Sequence, residues 1–436
     1  MQINWRLYYI PVSIAIFVSA ICSGMASAQD DLGAAEEPTW SILKLDSNGR
    51  PVIVEEGGGE VGVDITETPE VTAPTEEQIR NIDKLKIERG QLMLLDVSSD
   101  QLSALKSQGY RTLESIRLPT LGANVVRVAI PPGVSEENAI RKIKKDFPGL
   151  VVDVNSIMDM SAGENMGTYA NKYVGWGDVP NSCGDGLRIG MIDGGVYPKA
   201  KSLDGQRVKY RSFIKKDRKA AGYDHGTAVA VILVGKPGGG RLGGLLPGAS
   251  LYAAGIFENR NGKEHGNLSN MLKAAEWLAR NDVKVVNMSI AGSSNAVLTF
   301  VINKLMDHGV AVVAAAGNFG ADAKPAWPAA HPKVIAVTAI DHTLDIYRYA
   351  NQGQYVDFAA PGVGLLTETP RRLKQQSGTS FATPYITAMI AVHIKHGFPT
   401  DTDKLRASLK RFVKDLGTPG RDPTYGWGLV RLRARC

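Results

Sequence analysis

A chain of 436 residues, 44% hydrophobic and 22% charged, has the make-up of a folded protein with two or three units. Its 47 glycines follow no Gly-X-Y period, no repeat of 20–50 residues occurs, and three cysteines are too few for a disulfide scaffold or a multi-cysteine zinc module. The net charge of +6 conceals an asymmetry: residues 29–80 hold 3 Lys/Arg against 13 Asp/Glu, whereas residues 161–436 hold 35 against 21.

The apolar run 7–21 (LYYIPVSIAIFVSAI) follows Arg6 and precedes Ala26-Ser27-Ala28, the pattern of a secretory signal removed after residue 28. An uncleaved anchor is the alternative reading; Pro11 and the Ala-x-Ala site favour cleavage. Export leaves Cys183 and Cys436, which either form one bridge or stay as two thiols. Residues 29–85 are acidic and carry Pro38, Pro51, Pro69 and Pro74, which predicts a mostly disordered linker, with ILKL (42–45) and PVIV (51–54) able to pair locally. Residues 86–160 then read as βαββαβ. The strands are QLMLLDV (91–97), YRTLESIRL (110–118), NVVRVAI (124–130) and LVVDV (150–154). The helices are SSDQLSALKSQG (98–109) and the serine-capped SEENAIRKIKKDF (135–147). That order predicts a ferredoxin-like unit, and it carries no catalytic constellation.

Over residues 170–436 continuous apolar runs alternate with helical stretches. RIGMID (188–193), SLYAAGIF (250–257), VKVVNMS (283–289), GVAVVAAAG (309–317) and VIAVTAI (334–340) suit parallel strands covered on both faces. NLSNMLKAAEWLARN (267–281) and NAVLTFVINKLMDHG (295–309) have helical spacing. The expected fold class is α/β, a doubly wound, mostly parallel sheet with active residues at the carboxyl ends of its strands. Three segments meet that rule: Asp193 ends a strand before Gly194-Gly195, His225 opens DHGTAVAVILVG, and Ser380 opens the apolar helix of SGTSFATPYITAMIAVHI. Asp, His and Ser are the parts that activate a hydroxyl nucleophile: the imidazole takes its proton and the carboxylate fixes the tautomer.

The segments IGMIDGGV, DHGTAVA, VNMSIAG, AAAGN and SGTSFATP, in that order, resemble the subtilisin-like serine proteases, the subtilases. The Asp-to-His and His-to-Ser separations of 32 and 155 residues stand beside roughly 32 and 157 in subtilisin. The resemblance covers about residues 165–432 and ends in YGWGLVRL. It implies a serine endopeptidase in which Asp193 orients His225, His225 is general base and then acid, Ser380 forms the acyl-enzyme, and Asn318 donates to the oxyanion. It further implies that Ser289, Ile290, Ala291 and Gly292 pair with substrate backbone, and that with Ala314, Ala315, Ala316 and Gly317 they wall the primary pocket. Small apolar walls suggest an apolar or broad preference. Gly194 departs from the family, which usually has Ser or Thr after the aspartate; the lost hydroxyl could loosen Asp193.

By the same resemblance residues 86–160 are a propeptide that assists folding, occupies the cleft with its C-terminal tail and is cut by the enzyme itself near residues 158–168. A permanent accessory domain is the alternative. The catalytic domain then spans 161–436, and the protein is expected as a secreted monomer, periplasmic or extracellular, acting on protein or peptide substrates. No cofactor, nucleic-acid partner or permanent membrane span is expected; structural calcium stays open, without an EF-hand-like run. GKPGGGRLGGLLPG (235–248) lacks a nucleotide-binding ending and reads as a loop, and His393 and His396 lack further ligands for a metal. The run Lys199–Lys219 holds nine Lys/Arg. It leaves one rival reading, a catalytically silent subtilase-fold protein that docks through its basic face.

Overall fold

The computed structural model describes residues 42–45, 51–54, 74, 79, 82, 87–160, 169–237, 243–434 and 436. The expected signal segment 1–28 and most of the expected linker lie outside the described residues. The chain divides into two compact units, residues 1–63 and 64–436. In the first, β1 (Ile42–Leu45) and β2 (Pro51–Val54) pair antiparallel, with Ile42 opposite Val54, so the two apolar tetrads do meet.

The second unit begins with β3 (Ile87–Leu95), α1 (Ser99–Ser107), β4 (Arg111–Leu118), β5 (Ala123–Ala129), α2 (Glu136–Asp146) and β6 (Val151–Met160), the βαββαβ order of the sequence. Ser98 and Gln101 form a capping box on α1, and Ser135 caps α2 through the N–H of Asn138. The strands lie in the order β6-β3-β5-β4, all antiparallel. Alternate residues of this sheet serve two cores. Leu92, Leu94, Val126, Val128, Val152 and Val154 pack on Leu105, Ile140 and Ile143 of the unit's own helices, together with Ile79 and Ile82, upstream of the expected boundary at residue 86. Met93, Leu95, Ile116, Leu118 and Val125 face the other way, into the core of the larger body.

That body follows as α3 (Ala170–Tyr173), β7 (Arg188–Asp193), β8 (Arg207–Ser212), α4 (Asp224–Val234), β9 (Ser250–Gly255), β10 (Phe257–Arg260), β11 (Lys263–Asn267) and α5 (Leu268–Arg280). Next come β12 (Val285–Met288), β13 (Ile290–Ala291), α6 (Ala296–Asp307), β14 (Ala311–Ala315), β15 (Ile335–Ile340), β16 (Phe358–Pro361), β17 (Leu365–Glu368) and β18 (Leu373–Gln376). The chain closes with α7 (Thr379–Lys395), α8 (Thr402–Lys410), β19 (Val413–Lys414) and β20 (Leu429–Val430). Nine strands form one sheet in the order β19-β20-β16-β15-β14-β12-β7-β9-β8, parallel except for the β19–β20 pair. Its five central runs are those read from the sequence.

The sheet is covered on both faces. On β12, Val286 and Met288 join the core with α5 and α6, while the intervening Asn287 points to α7, where Thr387 donates to its Oδ1 at 3.0 Å. The result is a stack of layers: α1 and α2, the small sheet, α5 and α6, the large sheet, then α4 and α7. The basic run 199–219 lies around β8, the edge strand, where Arg207 pairs with Asp185 and Lys236 with Asp204. Cys183 and Cys436 are joined by a disulfide, tying the end of the chain to the start of the parallel body. Among the described residues no helix is long and apolar enough to cross a membrane.

Two differences from the sequence reading matter for function. The strand expected to stop at Val154 runs on to Met160. Residues 258–266, given no element above, form most of the β10–β11 hairpin, turning at Asn261 and Gly262 with φ of 51° and 82°. Asn-Gly between two strands is the signal that marks such a turn.

Candidate active site

Asp193 is the last residue of β7, fully buried, and its Oδ1 accepts from the N–H of Gly194 and meets His225 Nδ1 at 2.6 Å. A carboxylate only accepts, so Nδ1 carries the proton and Nε2 is the basic nitrogen. His225 is the second residue of α4, an apolar helix buried from His225 to Val234, which fixes the ring's direction. Gly226 follows because a Cβ there would lie 2.6 Å from the Gly195 carbonyl oxygen, so the helix start and the turn after Asp193 touch. The other Asp193 oxygen, Oδ2, is buried and has no hydrogen-bond partner among the described residues.

Ser380 is the second residue of α7, entered through Gly378 at φ 145°. Its N–H belongs to the first turn, where no carbonyl within the helix reaches back. The His225 ring lies 5.0 Å from that of Phe381, so the imidazole stands over the start of α7. Asn318 follows β14 by three residues. Its Oδ1 accepts from both the N–H (3.1 Å) and the hydroxyl (2.8 Å) of Thr379. This arrangement commits the amide oxygen and leaves Nδ2 as the open donor. Ser380 Oγ and Asn318 Nδ2 are both buried without a partner among the described residues. Buried polar atoms without partners are costly in a fold; an oxyanion formed from a bound carbonyl would accept from Asn318 Nδ2, while Ser380 Oγ stays free to act as the nucleophile.

Thr379 belongs to this candidate site, though the sequence motif quoted it without a role. Its hydroxyl also accepts from the N–H of Gly317 at 3.2 Å, joining the two loops. Asn287 belongs to it as well: its Nδ2 donates to Ser289 Oγ (2.8 Å), and Ser289 Oγ donates to the carbonyl of Ser380 (3.0 Å). The Ser289 hydroxyl is therefore turned inward to hold the serine loop, and what β13 offers a ligand is backbone. Ala314, Ala315 and Ala316 are fully buried beside β12, and Gly317 is held at φ 106°, where a Cβ would meet Ala326 and Asn351 at 2.9 Å.

The end of β6 lies between two strands of the large body: Met160 and Asp159 pair antiparallel with Ile290 and Ala291 of β13, and Met158 and Ile157 with Gly266 and Asn267 of β11. Carboxylates pin the rest of the small sheet. Glu114 on β4 accepts from Ser269 Oγ (2.8 Å) and is paired with Lys273 and Arg127; burial alone would raise its pKa, but these partners hold it at about 2. Asp153 accepts from the N–H of Ala296, the first residue of α6, at 2.8 Å, and burial raises its pKa to about 6 against that N–H and the N–H of Val154. In return, Glu276 of α5 accepts from the N–H groups of Thr120 and Leu121.

The sequence matches the Subtilase family over residues 184–428. Subtilisin DY of Bacillus licheniformis is 30% identical over 258 residues, 58% of this chain and 91% of its own length. The chain belongs to the subtilase family. The minor extracellular protease Epr of Bacillus subtilis is 34% identical over 258 residues, and the chain spans only 39% of Epr's length. Among solved structures, fervidolysin from Fervidobacterium pennivorans, described as a keratinolytic enzyme related to subtilisin, shares the fold with a TM-score of 0.66 at 20% identity, over 79% of this chain and 60% of its own. The five motifs of this subtilase converge on the carboxyl ends of β7, β12 and β14 and on the starts of α4 and α7. No group of three or more His, Cys, Asp or Glu arranged to hold a metal ion occurs among the described residues.

Proposed function

We propose that this subtilase is an exported serine endopeptidase, made as a precursor that inhibits itself through residues 86–160. The observation that supports the reading is the antiparallel pairing of the end of β6 with β11 and β13, the way an extended substrate would pair. In the reaction Ser380 Oγ attacks the peptide carbonyl carbon while its proton passes to His225 Nε2. The tetrahedral oxyanion is held by Asn318 Nδ2 and the Ser380 N–H. The C–N bond then breaks, the imidazolium gives its proton to the leaving amine, and an acyl-enzyme forms on Ser380. Water, deprotonated by His225, reverses these steps and frees the acid. Asp193 keeps the Nδ1 proton in place and stabilises the imidazolium.

Self-processing would cut the tether after β6, near residues 158–168, leaving the βαββαβ unit bound until it dissociates or is degraded. A ferredoxin-like unit of this kind would also serve as a folding template, because the parallel strands it covers are distant in sequence and slow to assemble. The catalytic domain would be residues 161–436, secreted through the signal at 1–28 and acting as a monomer on protein substrates. Intact mass of the exported chain, wild type against Ser380→Ala, tests the reading. Loss of the first ~160 residues in wild type only, a length set by the end of the tail strand, is the expected result. No cutting in either chain, with Ser380 unlabelled by a sulfonyl fluoride, would leave the silent docking protein in its place.

A further inference from the structure

The β10–β11 hairpin carries a carboxylate that the hydrolytic steps do not use. Glu264 is half-buried on β11, and its Oε1 accepts from the N–H of Gly222 at 2.9 Å, three residues before His225. Burial raises its pKa above the usual carboxylate value, opposed by that N–H, and the charges acting on it are those of His225, Asp193 and Asp224. Asp193 is committed to His225; Asp224 is exposed at the start of α4. Among the described residues Glu264 has no ion pair, and its neighbour Arg260 is engaged by Glu88 and Glu258. A half-buried carboxylate with one backbone donor, set beside a cleft, is a place where a cation gains more than it would in open water.

The strand register says where that cation would come from. Gly266 pairs with Met158 and Asn267 with Ile157; continued two residues beyond that ladder, the register sets Glu264 across from position 160, which is itself paired with Ile290. Directly opposed residues of an antiparallel pair project to the same side of the sheet. A substrate lying in the channel therefore presents one side chain alongside Glu264, next to the imidazole. Methionine at 160 is uncharged, which leaves the pairing capacity of Glu264 to a substrate.

We propose that Glu264, with Asp224 beside it, selects peptides carrying lysine or arginine at the position that takes the place of residue 160 in the cleft. The proposal rests on the reading of this cleft as a peptidase site, and it adds a charged requirement to the apolar or broad preference expected from the pocket walls.

The test is a pair of peptides differing only by Lys or Met at that position, cleaved by the enzyme obtained from the full-length chain and by its Glu264→Gln variant. Glutamine keeps an acceptor for the Gly222 N–H and removes the charge. The ratio of kcat/KM between the two peptides cancels any effect of Glu264 on His225, which both share. The expected ratio favours Lys by about tenfold, the order of a partly desolvated ion pair, and falls to near one in the variant. A wild-type ratio near one, or an unchanged ratio in Glu264→Gln, overturns the proposal.

A second arm needs no catalysis. In the full-length Ser380→Ala chain, which keeps its own strand in the cleft, Met160→Lys should raise Tm, and should not do so when combined with Glu264→Gln. If no peptide is cut and Ser380 is unreactive, the peptidase reading fails and this cycle alone decides the role of the carboxylate. Equal shifts in both backgrounds overturn it.

Discussion

The small antiparallel sheet and the large parallel sheet solve the problem of burial differently. The large sheet is covered on both faces by its own helices, α5 and α6 on one side and α4 and α7 on the other. The small sheet owns helices for one face only; its second face, with Met93, Leu95, Ile116 and Leu118, is buried against α5 and α6 of its neighbour. An apolar sheet face that depends on another body is an interface by construction. It teaches that the small unit is shaped to be held by the larger one, whereas all the candidate catalytic residues lie in the body that can cover itself.

The largest effect should come from severing the chemical link between the two regions. Ser380→Ala should lower peptidase activity by about 10⁶-fold, and Asp193→Asn by about 10⁴-fold through the wrong tautomer of His225. Both are read from single-turnover cleavage at residues 158–168, which should stop within the time of expression. Next in size, Asn318→Ala should cost roughly 10²–10³ in kcat with little change in KM, since its amide meets charge that exists only in the transition state. A parallel loss in KM would show that Asn318 binds the ground state instead.

The interface itself can be loosened without touching the reaction. Glu114→Gln leaves Lys273 and Arg127 without their carboxylate, and the uncuttable Ser380→Ala precursor should lose about 2–3 kcal/mol, read by denaturant melting. The pKa of Glu114 is depressed to about 2, so its contribution is full above the ordinary glutamate range and is lost as pH falls toward 2. Asp153 works in the opposite sense. Burial raises its pKa to about 6, so the docked state holds the proton more tightly than the free chain, and its contribution is lost as pH rises from about 4 through 6. Asp153→Asn should flatten that part of the stability profile of the Ser380→Ala precursor, a change of up to about 3 kcal/mol. A profile unchanged by the substitution would remove Asp153 from the account.

Much of the frame was legible in the chain. Continuous apolar runs such as RIGMID and GVAVVAAAG announced buried parallel strands, because a strand covered on both faces needs no polar alternation. Ser98 and Ser135 announced their helices, because a cap is a contact between residues three apart. Asp193, His225, Asn318 and Ser380 were legible as motifs because each needs a particular local backbone: a strand end, a helix start, a glycine turn.

Contacts between distant segments were left for the tertiary structure to decide. NSIMDM (155–160) has no strand signal strong enough to extend β6; Ile157 to Met160 pair with residues more than 100 positions away on β11 and β13. Thr379 aims the amide of Asn318 across 61 residues, and Glu264 reaches the loop before His225 across 42. The physical reason is one of range. Capping, turn chemistry and hydrophobic periodicity act within a few residues and so can be read along the chain. Which donor is left open, which carboxylate is desolvated and which strand fills the cleft depend on surfaces that exist only after the layers have packed.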